Sequence, residues 1–180
     1  MKKVDTRELS WKERVEIARK AKADIFISMH INWVDNPEIS GLSIYTLSEK
    51  SSDKQAELLA QKENRADIIS GINFSGANSD IMKTLIAMSQ RNSMNQSSQF
   101  ANLAIRIAKK NNISTLQNTH RFAGFAVLTA PDMASVLLEL GYISNQKEEE
   151  MLNQKEYKEK IINSLSEAID EYFSKISVLN

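Results

Sequence analysis

The chain has 180 residues, of which 42% are apolar and 26% charged, and its 23 Lys plus Arg balance 23 Asp plus Glu. Zero net charge leaves no bulk field to draw it onto nucleic acid or an anionic membrane surface. The absence of cysteine excludes disulfides, thiolate zinc sites, iron–sulfur clusters and a cysteine nucleophile, and with only His30 and His120 a three-histidine metal site is impossible within the chain.

The length suits one domain over 1–180, long enough to bury roughly 70% of its unfolded surface. Met1–Asp5 opens like the charged end of an export signal, but polarity continues through Arg14 where an apolar stretch should follow, so no signal peptide is read and the chain as written is expected in the cytoplasm. No apolar stretch approaches the ~20 residues that span a bilayer.

In chain order, Ser10-Trp11-Lys12-Glu13 is a capping-box pattern and starts a helix through Val15 and Ala18. Ala23–His30 is a nearly continuous apolar run of strand length, and Gly41–Leu47 reads as a second strand after a loop carrying Asn36-Pro37. From about 51 to 112 the chain reads as a helical insert. One helix is capped near Ser52-Asp53 and runs through Leu58, Leu59, Ala66 and Ile69. Breaks follow at Ser70-Gly71 and Ser75-Gly76, then two helices over Asp80–Gln90 and Ser93–Lys110. Strands are expected again at Gly124–Leu128 and Ser135–Leu140. A closing amphipathic helix aligns Tyr157, Ile161, Leu165, Ala168, Ile169, Tyr172 and Phe173 on one face. Strands alternating with helices predict an α/β fold with a mostly parallel sheet flanked by helices.

Two polar residues interrupt apolar strands. His30 ends one, and Glu139 lies within another. Strand ends in α/β sheets gather ligands, so both could face one crevice, with the imidazole as a metal ligand and the carboxylate as a general base. A strand-end histidine also serves as a hydrogen-bonded structural residue, and spacing leaves the two readings open.

Larger blocks of sequence go further. Ser10–Val15 with Ile17-Ala18-Arg19, then Ala23–Asn32, resembles the L-x-E-R-V-x-I-A-R and A-D-L-F-I-S-I-H-A-N blocks of zinc-dependent N-acetylmuramoyl-L-alanine amidases. Gly41–Ser48 is similar to their next strand. Ala123–Leu128 and Ala130–Asn145 resemble their closing block, A-G-F-x-V-L-x-A-P-D-x-P-S-V-L-x-E-x-G-Y-x-S-N, with Ala134 where proline is usual. The resemblance covers about Asp5 to Phe173. It implies hydrolysis of the amide between N-acetylmuramic acid and the L-alanine of the peptidoglycan stem peptide. It makes His30 a Zn2+ ligand, Glu139 the acid/base and Asn32 an orienting or substrate-side group, while His120 matches no ligand position and is expected to face solvent or substrate.

The family's two further zinc ligands are a histidine in a Gly-His-Gly-Gly strand and a glutamate on the following helix. Neither is found in this sequence. The resemblance therefore implies the carboxyl-terminal part of a catalytic domain, without the family's amino-terminal strand and helix, and points to an upstream amidase fragment as a partner. A non-catalytic remnant or peptidoglycan-binding module of the same fold is the alternative, and an intracellular α/β interaction domain with a structural His30 and Glu139 is a third reading. Glu57–Ile69 also resembles the A-x-x-E-N-x-A-D-x-I helix of cell-separation amidases. In that subgroup the insert is autoinhibitory until a divisome-linked activator withdraws it, which implies that Glu63 occludes the metal. On charge alone, a solvated helix face beside Lys62 and Arg65 is the preferred reading of Glu63. Members of the family act in the periplasm after export.

Overall fold

A computed structural model describes residues 9–68 and 80–179. The expected features at Met1–Asp5, Ile69, Ser70-Gly71 and Ser75-Gly76 lie outside the described residues. Helix α1 (Trp11–Lys20) starts at Ser10, whose hydroxyl accepts from the Glu13 amide while the Glu13 carboxylate accepts from the Ser10 amide. Strand β1 (Ile25–Asn32) and strand β2 (Leu42–Leu47) follow, then helices α2 (Lys54–Ile68) and α3 (Asp80–Lys110). Strand β3 (Thr115–Ala123), a 3-10 turn (Ala126–Leu128), strand β4 (Ala134–Tyr142) and helices α4 (Gln146–Asn153) and α5 (Lys155–Leu179) complete the order.

The four strands form one sheet in the order β1-β4-β2-β3. Strand β4 runs parallel to β1 and antiparallel to β2, and β2 runs parallel to β3, so the sheet is mostly parallel. Among the described residues β1 and β3 are its edges. Side chains alternate across it. Ile44, Val136 and Leu138 join Phe100, Ile107, Ile161 and Tyr172 in a core under α3 and α5. Tyr45 and Leu137, on the other face, meet Ala56, Ala60, Phe125 and Leu128 under α2. Glu139 follows Leu137 by two residues and so belongs to the α2 face.

Two expected elements differ. The apolar run Gly124–Leu128 is not a strand: β3 ends at Ala123, and Phe125, Val127 and Leu128 fold back as a plug beneath α2, with Phe125 and Leu128 nearly inaccessible. Its apolar residues serve a core contact rather than a ladder, a distinction that periodicity does not make for short runs. The polar stretch Thr115–Arg121 forms the strand instead. The two helices expected over Asp80–Gln90 and Ser93–Lys110 are one continuous α3. Ser93 and Ser97 are tolerated within it because each is bonded: Ser93 Oγ donates to Gln90 O, and Ser97 Oγ accepts from the Ser135 amide at 2.8 Å. From Ser93 onward α3 is packed core, so the helical stretch divides into a core helix and a separate cover, α2.

The start of α2 is fixed by charge. Asp53 caps it through the Ala56 amide (3.0 Å) and receives the Arg121 guanidinium from β3, which also donates to Tyr45 Oη. Arg121 is 4% exposed, so its charge depends on this partner. Burial alone would raise the Asp53 carboxyl, but the Arg121 guanidinium, the Ala56 amide and the Ser52 hydroxyl hold it at about 2. A folded-state value below the unfolded one gives stability that is complete above about pH 4 and lost as pH falls towards 2. Asp53→Asn should lower stability at pH 7 by about 2 kcal/mol, because Arg121 is left half-paired. The same change should shrink the loss between pH 4 and 2, as read by urea unfolding at each pH.

Candidate active site

His30 and Glu139 are brought side by side by the pairing of β1 with β4, in which their Cα positions are direct partners. Ser43 of β2 is the partner of Glu139 on the opposite flank. Glu139 is completely inaccessible. Its Oε2 accepts a long 3.5 Å bond from Asn32 Nδ2, and Oε1 has no partner among the described residues. An ionised carboxylate so poorly solvated is costly, and burial pushes the group up to about 8. The Asn32 bond and the Lys62 charge pull it down, and the Glu63 charge pushes it up further. At neutral pH the side chain is therefore mostly a protonated acid.

Three consecutive residues of α2 close the site, and because successive helical positions point about 100° apart, each reaches a different group. Lys62 Nζ donates to Asn32 Oδ1 at 2.7 Å. Glu63 Oε2 lies 3.4 Å from His30 Nδ1. Asn64 Nδ2 donates to Gly124 O, and Asn64 Oδ1 accepts from the Ala126 amide, each at 2.8 Å. Asn32 Oδ1 also accepts from the Trp33 amide, which fixes the carboxamide orientation. The other His30 nitrogen, Nε2, lies 2.8 Å from Ser28 Oγ. Burial lowers the His30 pKa, Arg14 lowers it further and Glu63 opposes both. A neutral imidazole with its proton on Nδ1 facing Glu63, and Nε2 accepting from Ser28, satisfies both contacts.

The structure thus brings together His30, Glu139, Asn32 and Glu63. It does not bring His120 to the site. Strand alternation puts His120 on the opposite face, half-buried between Thr46 Oγ1 (3.0 Å) and Asn102 Oδ1 (3.2 Å). Lys62, Asn64 and Ser28 were not singled out by sequence, although Lys62 and Asn64 flank Glu63 in the matched helix motif. Glu148 was also missed. It is buried in the first turn of α4 and accepts from the Gly41 amide (2.6 Å) and the Tyr142 amide (2.7 Å). It ties the start of β2 to the end of β4. Its signal was the capping pattern of Asn145 with Glu148 three residues on. Gly141 makes room for it, since a Cβ there would fall 2.7 Å from Glu148 Cδ.

Zinc in a catalytic site takes three protein ligands and keeps an open position. His30 and Glu63 supply two nitrogen or oxygen donors, and among the described residues no group of three or more His, Cys, Asp or Glu side chains could hold a metal ion. The described residues alone therefore do not fit the zinc that the sequence blocks imply. What they can do themselves is move a proton at Glu139 in a water-poor environment.

The sheet sets a buried acid beside a histidine at adjacent strand positions, and comparison with known proteins identifies the family. The family model described as N-acetylmuramoyl-L-alanine amidase matches residues 1–171, and the chain belongs to that family. It is 32% identical over 162 residues to the N-acetylmuramoyl-L-alanine amidase AmiA of Escherichia coli K12, covering 89% of this chain and 56% of that protein. It is 34% identical over 163 residues to AmiC of Escherichia coli O6:H1, covering 89% and 38%. The chain thus spans about half, or less, of the length of these curated relatives. The fold is similar to the catalytic domain of the amidase CwlV from Bacillus (Paenibacillus) polymyxa, with a TM-score of 0.61, 22% identity and coverage of 96% and 70%. It is also similar to the amidase Ami1 of Mycobacterium smegmatis, with a TM-score of 0.63, 15% identity and coverage of 97% and 66%. No helix among the described residues is long and apolar enough to cross a membrane.

The contacts at 62–64 generate a test that needs no turnover. Asn64→Ala removes two hydrogen bonds worth about 1 kcal/mol each. Amide hydrogen exchange in residues 60–65 should then speed up by roughly 30-fold, while residues 100–108 of α3 keep their protection.

Proposed function

We propose that this chain cleaves the amide between N-acetylmuramic acid and the L-alanine of the peptidoglycan stem peptide, with Glu139 as acid/base and His30 as its contribution to a zinc site. The observation that carries this reading is the buried, half-satisfied Glu139 carboxyl held in register with His30. Amide hydrolysis adds water across the C–N bond. The hydroxyl goes to the lactyl carbonyl carbon, and the proton goes to the departing alanine amine. Glu139 is suited to carry that proton: ionised, it takes it from water, and once protonated, it delivers it to the amine. With α2 in place the carboxyl is held near 8 by burial and by the Glu63 charge. Withdrawal of α2 would remove that charge and admit water, which lowers the carboxyl towards the range in which it acts as a base. Asn32, bonded to Oε2, orients it.

In this reading α2 is an autoinhibitory cover, as in cell-separation amidases. Glu63 occupies the imidazole that the metal would use, and Lys62 and Asn64 hold the cover shut. A divisome-linked activator acting outside the cytoplasmic membrane is the partner that would withdraw it. The remaining zinc ligands would come from outside the described residues, with an upstream amidase fragment as one source. The second reading is a peptidoglycan-binding module of the same fold without hydrolysis.

Purified cell-wall sacculi separate the two. The chain, with zinc and with an amidase fragment supplying the Gly-His-Gly-Gly histidine and helix glutamate, should release stem peptides with a free L-alanine terminus, read by mass spectrometry. Glu139→Gln should lower that release by about 100-fold or more, because an amide cannot accept the proton. Glu63→Ala should raise basal release by about 10- to 100-fold, within the range of coupling between sites. Unchanged release in Glu139→Gln would overturn the acid/base assignment. Binding to sacculi with no release under any condition would favour the module.

A further inference from the structure

Ser43 of β2, on the flank of Glu139 away from His30, is as fully buried as the acid itself. Direct partners in an antiparallel pair point to one face of the sheet, with Cβ atoms about 4.5–5.5 Å apart. Ser43 Oγ has no hydrogen-bond partner among the described residues, and neither has Glu139 Oε1. A buried serine ordinarily turns its hydroxyl to a nearby group, as Ser135 does to Met133 O. The buried hydroxyls of Ser28, Ser97 and Ser164 are bonded as well. Two orphaned polar atoms at one register position are the exception, and each lacks what the other offers.

The place of the acid's proton sets the direction of the contact. Asn32 Nδ2 donates to Oε2, and the carboxamide cannot turn over because its Oδ1 accepts from Lys62 and from the Trp33 amide. Oε2 is therefore the accepting oxygen of the protonated acid, and the proton sits on Oε1. Oε1 then needs an acceptor, and the Ser43 hydroxyl oxygen has lone pairs to offer. The tyrosine hydroxyls of this face are engaged elsewhere: Tyr142 Oη lies 3.4 Å from Tyr45 Oη, which accepts from Arg121. The last torsion of a glutamate side chain is broad, so the carboxyl can turn to meet a hydroxyl across the ladder.

We propose that Ser43 is a positioning residue for the acid, its hydroxyl holding the Glu139 proton on Oε1 and supporting the same oxygen once it is ionised. The role in turnover rests on the acid/base reading of Glu139. When Oε1 passes its proton to the departing amine nitrogen, the Ser43 hydroxyl turns from accepting to donating, so the oxygen left negative keeps a partner. A hydroxyl serves both states of the acid because it accepts as well as donates. Asn32 from β1 and Ser43 from β2 then hold the two carboxyl oxygens from the two strands that flank β4.

Infrared difference spectra between the full metal-free chain and its Glu139→Gln variant isolate the C=O stretch of the protonated acid. At about pH 6 ordinary carboxyls are ionised, while Glu139, which burial raises to about 8, keeps its proton. Ser43→Ala should move the band to higher frequency, because the acid loses a hydrogen bond. Ser43→Thr keeps the hydroxyl and should leave the band near its wild-type position. A purely structural serine would move neither. A band unmoved in Ser43→Ala would overturn the assignment, as would a Ser43→Thr band displaced as far as that of Ser43→Ala. In the reconstituted enzyme Ser43→Ala should lower kcat by about tenfold with KM unchanged, the loss of one hydrogen bond that matters to the reaction and not to binding. The infrared band needs no turnover. Sacculi hydrolysed by the Glu139→Gln protein would therefore sink the acid/base assignment alone and leave the Ser43 contact to be decided by the spectra.

Discussion

A carboxyl group with no accessible surface sits between the two strands that flank β4, and most of what surrounds it follows from the cost of putting it there. Glu139 has one long hydrogen bond and one unpartnered oxygen. Burial on those terms keeps the proton on the acid well into the neutral range. On the same face of the sheet, α2 sets Lys62 on Asn32 and Glu63 beside His30. The same contacts that bury Glu139 therefore set its chemistry.

The cover is held by several modest interactions rather than one strong one. Asp53 and Arg121 fasten its first turn, Ala56 and Ala60 pack into the core beneath it, and Lys62, Glu63 and Asn64 fasten its far end. Each hydrogen bond is worth about 0.5–1.5 kcal/mol. The far end carries the polar contacts to the site, and the near end carries the buried arginine.

Much of this was legible in the sequence because apolar runs and a capping box are local signals. Ser10 to Glu13, β1, β2, β4 and the buried face of α5 were read from spacing and composition. The matched blocks singled out His30, Glu139, Asn32 and Glu63, and the fold sets them together although Asn32 and Glu139 are 107 residues apart. That juxtaposition depends on β1 pairing with β4, which no local pattern encodes. Strand β3 was missed because it is polar, with Arg121 and His120 satisfied by partners on opposite faces of the sheet. The neighbouring Phe125–Leu128 run was misassigned because a core plug and a buried strand have the same composition. Asn64 was passed over for a different reason: its partners are backbone groups of residues 124 and 126, which leave no trace in side-chain patterns.

The most direct test of the covered-acid account is the ionisation of Glu139 itself, followed by the carboxyl carbon chemical shift in selectively labelled, metal-free protein. The account predicts a midpoint near 8 in the wild-type chain. It predicts a clear fall when the cover is loosened by Asn64→Ala, because water then reaches the carboxylate. A midpoint in the ordinary carboxylate range in the wild-type chain would contradict it, as would a value unmoved by Asn64→Ala.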